Sequence, residues 1–164
     1  MSTLTIGKTD SNENVSLDLL TLVDTRALIQ ASSGGGKSWL LRLIAEQSNE
    51  KVQTIILDPE GEYATLREKF DMVLVGEGGE IPADVKSARL LARKLLEAGV
   101  SAIIDMYDLP DAWDGRRAYA AEFIESLMNA PKNLRHPALV IIDEAHMLCP
   151  ERDNADSRKP IISL

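Results

Sequence analysis

A run of small residues, Ser32-Ser33-Gly34-Gly35-Gly36, leads into Lys37 and Ser38, directly after the apolar stretch Arg26 to Ala31. Those residue types in that order suit the holding of a polyphosphate. Glycines can take φ > 0 and let backbone N–H groups approach phosphate oxygens closely. The lysine adds positive charge for β- and γ-phosphates, and the neighbouring hydroxyl is placed to ligate Mg2+. The residues that follow, Trp39 to Glu46, put Leu40, Leu43 and Ile44 on one helical face. Such a helix aims its N-terminal dipole at the anion. Ser33, Gly34, Gly35, Gly36, Lys37, Ser38 and Trp39 are therefore the candidate nucleotide contacts, with ATP and Mg2+ the expected cofactors. One departure stands out: Ala31 occupies the place where the strict Walker A pattern begins with glycine.

A second candidate lies about one hundred residues on. Ala138-Leu139-Val140-Ile141-Ile142 is an apolar strand that runs into Asp143-Glu144, the form of a Walker B segment. Ligands of parallel α/β sheets bind at the carboxyl ends of the strands. There Asp143 can support Mg2+, with Ser38 as the other metal-ligating candidate. Glu144 can orient or deprotonate an attacking water. An acidic strand end is common by itself; paired with the upstream loop, it specifies Mg2+-dependent hydrolysis of a nucleoside triphosphate. Lys37 and Glu144 are the catalytic candidates.

The elements that must position these residues alternate between strand and helix. Residues 1–25 read as a short extended segment, with Leu4 and Ile6 alternating before a polar turn at Asp10 to Glu13; residues 26–164 read as the ATPase core. Strands are predicted at 26–31, 52–57, 72–75, 100–106 and 137–142. Helices are predicted from Trp39, at 62–70, at 82–98 with Gly99 as terminator, and at 114–128 with Ala118, Ala121, Phe123, Ile124 and Leu127 facing the core. Continuous rather than alternating apolar strands argue for a mainly parallel sheet covered by helices on both faces, an α/β fold.

Composition narrows the class further. A chain of 164 residues fits one ordinary domain. With aromatics at only 4%, the core must come from Leu, Ile, Val and Ala. A single cysteine, Cys149, rules out an internal disulfide framework and suits a reducing, cytoplasmic setting. No apolar run approaches ~20 residues, so no membrane span is expected. A net charge of −8 speaks against broad nucleic-acid affinity by this chain alone, though not against a local basic surface.

Three segments together resemble the HerA–FtsK group of P-loop ATPases: Gly34 to Ser38, Leu57-Asp58-Pro59-Glu60-Gly61-Glu62-Tyr63, and Ile142-Asp143-Glu144-Ala145-His146. HerA-like members carry a D-P-x-G-E-Y segment after the second core strand, and the middle segment is the most specific part of the likeness. The resemblance implies a RecA-like core, assembly into a ring (usually a hexamer), and ATP-driven translocation or processing of double-stranded DNA, with a nuclease or defence partner. It also implies that Lys37 and Ser38 contact phosphate and Mg2+, that Asp143 supports the metal and that Glu144 is the catalytic base. Asp58 and Glu60 fall near the site or a subunit boundary; a polar turn built on Pro59 and Gly61 explains them equally well. His146 is either a relay of γ-phosphate state or a helix-start histidine. Trp39 either packs near the nucleotide or fills core.

In the family a further helix and strand follow Walker B, and that strand lies between the Walker A and Walker B strands. Ser157 to Leu164 resembles the opening of that helix, so the chain is expected to continue past Leu164 or to be completed by a partner. The sensor and the trans-acting arginine are not evident, with Arg116, Arg117, Arg135 and Arg152 the available substitutes. An isolated chain is then expected to hydrolyse ATP weakly. Two other functions stay open: an ATP-gated switch that controls a partner without moving DNA, and a small-molecule kinase, which the acidic pair disfavours.

Overall fold

A computed structural model of the chain describes residues 3–150 and 158–164. Strands β1 (Thr3–Lys8) and β2 (Asn14–Asp18) form an antiparallel hairpin across the expected polar turn, and helix α1 (Leu19–Asp24) follows directly. Asp18 caps that helix through its carboxylate, which accepts from the Thr21 N–H at 2.9 Å. The hairpin is extended as the alternation of Leu4 and Ile6 suggested, whereas α1 had no sequence signal that separated it from the preceding strand.

Helix α2 (Lys37–Ser48) leads to strand β3 (Gln53–Asp58), every residue of which is buried. Strands β4 (Val73–Val75) and β5 (Ala102–Asp105) lie to one side of it and β6 (Ala138–Ile142) to the other. The order β4-β5-β3-β6 is parallel throughout. Helices α3 (Ala88–Ala98) and α4 (Ala112–Met128) provide the crossovers, and short helices α5 (Ala145–Leu148) and α6 (Arg158–Ser163) come last.

Period-two geometry divides the strand side chains between two cores. Ile55, Leu57 and Ile104 face Leu91, Leu95, Tyr119 and Phe123 of α3 and α4. Ile56, Ile103 and Ile141 face Ile44 and Ala45 of α2, together with Leu4 and Leu19 of the hairpin and α1. Both faces are thus covered, and each fully buried Ile or Leu contributes about 1.5–3 kcal/mol. The fold is α/β with a parallel sheet, as the apolar strands indicated.

Three expectations need correction. Residues 26–31 are not a strand: among the described residues no backbone hydrogen bond ties them to a neighbour, and Leu28 is 85% exposed. A strand exists only through a partner, and among the described residues nothing pairs with the edge of β6 that faces away from β3. The helix expected over 62–70 is one 3-10 turn, Ala64–Glu68. The long helix expected from Pro82 starts as a 3-10 turn at Val85–Ser87, where the Asp84 carboxylate accepts from the Lys86 N–H, and becomes α-helical only from Ala88. Its end is as read, with Gly99 left-handed at φ 63°.

Candidate nucleotide and metal site

The phosphate-type loop lies between the extended residues 26–31 and α2. Gly34 and Gly36 have φ of 75° and 86°, a region that side-chain-bearing residues rarely enter. Gly35 is needed for a different reason: a Cβ there would sit 2.9 Å from the Ala31 Cβ and from the Ser32 carbonyl oxygen. Ala31, the departure from the Walker A pattern, is therefore the side chain against which Gly35 is packed. The loop closes through a 2.8 Å hydrogen bond from the Gly35 N–H to the Ser32 carbonyl. No side chain caps the N-terminus of α2, so its leading amides keep their donor capacity for an anion.

Across the sheet edge, Asp143 and Glu144 follow β6. The Asp143 N–H still donates to the Leu57 carbonyl at 3.1 Å, which fixes the acidic pair to the end of β3. Glu144 adopts φ 46°, ψ 37°. That left-handed conformation costs a non-glycine residue on the order of 1–2 kcal/mol, and it turns the side chain back toward the loop. Lys37 Nζ donates to Asp143 Oδ1 and, at 2.6 Å, to Glu144 Oε1. Residues 106 and 107 positions apart thereby meet through one ammonium group.

The electrostatics follow from these contacts. Burial disfavours the charged Lys37, but its hydrogen bonds to Asp143 and Glu144 win and hold it above the usual lysine value. Burial likewise opposes ionisation of Asp143. Donors from Lys37, the Tyr63 phenol and the Glu144 N–H outweigh it, so Asp143 sits below the usual carboxylate range. Two carboxylates against one ammonium leave the cluster with an excess negative charge, a setting that suits a cation.

The residues fit a magnesium nucleotide. Ser38 and Asp143 offer oxygen donors, the class Mg2+ requires. Among the described residues no group of three or more His, Cys, Asp or Glu could hold a metal by itself. A cation bound here must draw the rest of its shell from phosphate and water, which is how Mg2+ is held in nucleotide sites.

Other candidates take varied positions. Trp39 is 78% exposed on the first turn of α2, so it fills no core. Asp58 is fully buried but does not face Lys37. Its carboxylate accepts from the N–H groups of Glu60, Gly61 and Tyr63 at 3.3, 2.8 and 2.9 Å, the polar-turn role. Glu60 is exposed. His146 is exposed, with Nδ1 at 3.3 Å from Glu144 Oε2. Among the arginines, the Arg116 guanidinium is buried against the Trp113 and Tyr107 rings and donates to the Met106 and Tyr107 carbonyls. Arg117 donates to the Met147 carbonyl and Arg135 to that of Ala130. All three serve their own chain, and Arg152 lies outside the described residues.

Sequence reasoning missed one participant. The Tyr63 hydroxyl, 80 positions from Asp143 in sequence, donates to Asp143 Oδ2 at 2.8 Å. A tyrosine closing a turn that begins with a buried aspartate was the available signal.

Residues 4–136 match the family described as helicase HerA, central domain, which is well over half of the chain. The chain belongs to that family. It is accordingly a P-loop ATPase domain of the HerA/FtsK type. The matched span ends two residues before β6, so Asp143 and Glu144 extend the site beyond it. No curated protein and no solved structure matches the chain significantly. Among the described residues no helix is long and apolar enough to cross a membrane.

Proposed function

We propose that this HerA-type domain binds ATP with Mg2+ between the glycine loop and the Asp143-Glu144 strand end, hydrolyses it, and works within a homo-oligomeric ring that moves or processes double-stranded DNA. The observation that carries this reading is the Lys37 ammonium shared by Asp143 and Glu144. A basic loop and an acidic strand end with no chemical relation would not converge on one point.

In the proposed reaction Lys37 turns from the carboxylates to the β- and γ-phosphates, while the leading amides of α2 bind the phosphate oxygens. Glu144, freed of the lysine, accepts a proton from the attacking water. Ser38 and Asp143 hold the Mg2+, which when bound neutralises charge developing on the phosphates. The left-handed backbone at Glu144 holds the base in a fixed direction, which limits the reorganisation needed before reaction. Ring assembly and DNA rest on the family alone. Arg116, Arg117 and Arg135 are each bound within their own chain, so an arginine acting across a ring interface would have to come from elsewhere.

Glu144→Gln tests the reading. The variant should still bind ATP while hydrolysis falls on the order of 100-fold or more. DNA-stimulated ATPase activity in the unaltered protein separates a motor from a nucleotide-gated switch: stimulation supports translocation, and its absence together with an ATP-locked partner complex supports the switch.

A further inference from the structure

We propose that Tyr63 is a positioning residue for the metal-holding Asp143, its hydroxyl fixing which carboxylate oxygen faces the cation. The inference rests on the magnesium-nucleotide reading above and deepens it. Tyr63 is 1% exposed and cannot reorient freely. Its backbone N–H is held by Asp58 Oδ2 at 2.9 Å, while Asp58 Oδ1 holds the N–H groups of Gly61 and Glu60, so the whole turn is anchored to the end of β3.

At its other end the phenol has one proton to give. It gives that proton to Asp143 Oδ2. Asp143 Oδ1 is meanwhile taken by Lys37 and by the Glu144 N–H at 2.8 Å. The two oxygens of Asp143 therefore have separate partners, and Oδ1 is the one released when Lys37 leaves for phosphate. One buried hydroxyl on the turn after β3 thus sets the direction of a ligating group in the segment after β6.

The experiment is a Mg2+ titration of fluorescent-ATP binding by the full chain and its Tyr63→Phe variant, with binding in EDTA measured alongside. Phe keeps the ring and removes only the hydroxyl. The expected result is binding in EDTA within about twofold of the unaltered chain and a Mg2+ midpoint raised about tenfold, the scale of one lost hydrogen bond to a charged group. Adding Tyr63→Phe to Asp143→Asn should then shift the midpoint no further, since the two groups act through one contact. An unchanged midpoint overturns the proposal. So does equal loss of binding with and without Mg2+, or failure of Tyr63→Phe to fold, because the hydroxyl would then serve the fold and not the metal. If the unaltered chain binds no ATP under any condition, the nucleotide reading itself falls and takes this inference with it.

Discussion

Asp58 and Asp143 stand at the same edge of the same sheet, one at the end of β3 and the other directly after β6, and their chemistry runs in opposite directions. Both are buried and both accept three hydrogen bonds. Burial pushes Asp58 up to about 6; the Tyr63 N–H and its neighbours in the turn offset part of this, while the charge of Asp105 adds to it. Asp143 is also desolvated, though less deeply, and lies below the usual carboxylate range with Lys37 the first of its donors. Three neutral N–H groups do not replace one cation. The difference assigns the tasks: Asp58 builds a turn, and Asp143 is kept ionised at the place proposed above for Mg2+. Tyr63 joins the two through its N–H and its hydroxyl.

The strongest way to break this contrast is to exchange each aspartate for asparagine. Asp143→Asn should lower ATP hydrolysis on the order of 100-fold, as loss of a preorganised charged group does, measured as steady-state phosphate release by the assembled protein. Asp58→Asn should cost hydrolysis far less. An equal loss from both would end the division of labour.

A smaller effect separates them by pH. Below pH 3.8 Asp58 is protonated in folded and unfolded chains alike. Between there and about 6 the unfolded chain releases a proton that the folded chain keeps, so Asp58 makes the fold less stable as pH rises through that window. Relative to Asp58→Asn, the unaltered chain should lose about 2–3 kcal/mol of stability from pH 4 to pH 7, read from urea unfolding. Asp143 has the opposite sign: its folded value is depressed, so its contribution is present at neutral pH and lost as pH falls through that depressed value. A stability gap for Asp58→Asn that is flat across pH would remove the contrast.

The glycine loop, the acidic strand end and the parallel sheet were legible because each depends on local residue types: glycines before a lysine, and apolar runs ending in Asp-Glu. Three features were not. Residues 26–31 have a strand's composition, yet strand formation is decided by a neighbour that no local pattern reports. The Tyr63 contact spans 80 positions, and its partner is set by how β3 and β6 register, with Leu57 beside Ile142. The fate of Arg116 was equally hidden. A charged residue early in a helix reads as solvated, and only the folded loop after β5 brings the Met106 and Tyr107 carbonyls to it, while the Trp113 ring lies one turn back on the same helix.

The unpaired edge of β6 has a kinetic consequence. In a parallel strand successive residues direct both backbone groups to alternate sides. The Asp143 N–H points at β3, so those of Ile141 and Leu139 do as well, and those of Val140 and Ile142 face the side where, among the described residues, no strand pairs. Amide exchange along this one strand therefore runs on two clocks, slow at 139, 141 and 143 and fast at 140 and 142. Any strand that came to lie on that edge would announce itself by slowing only the fast pair.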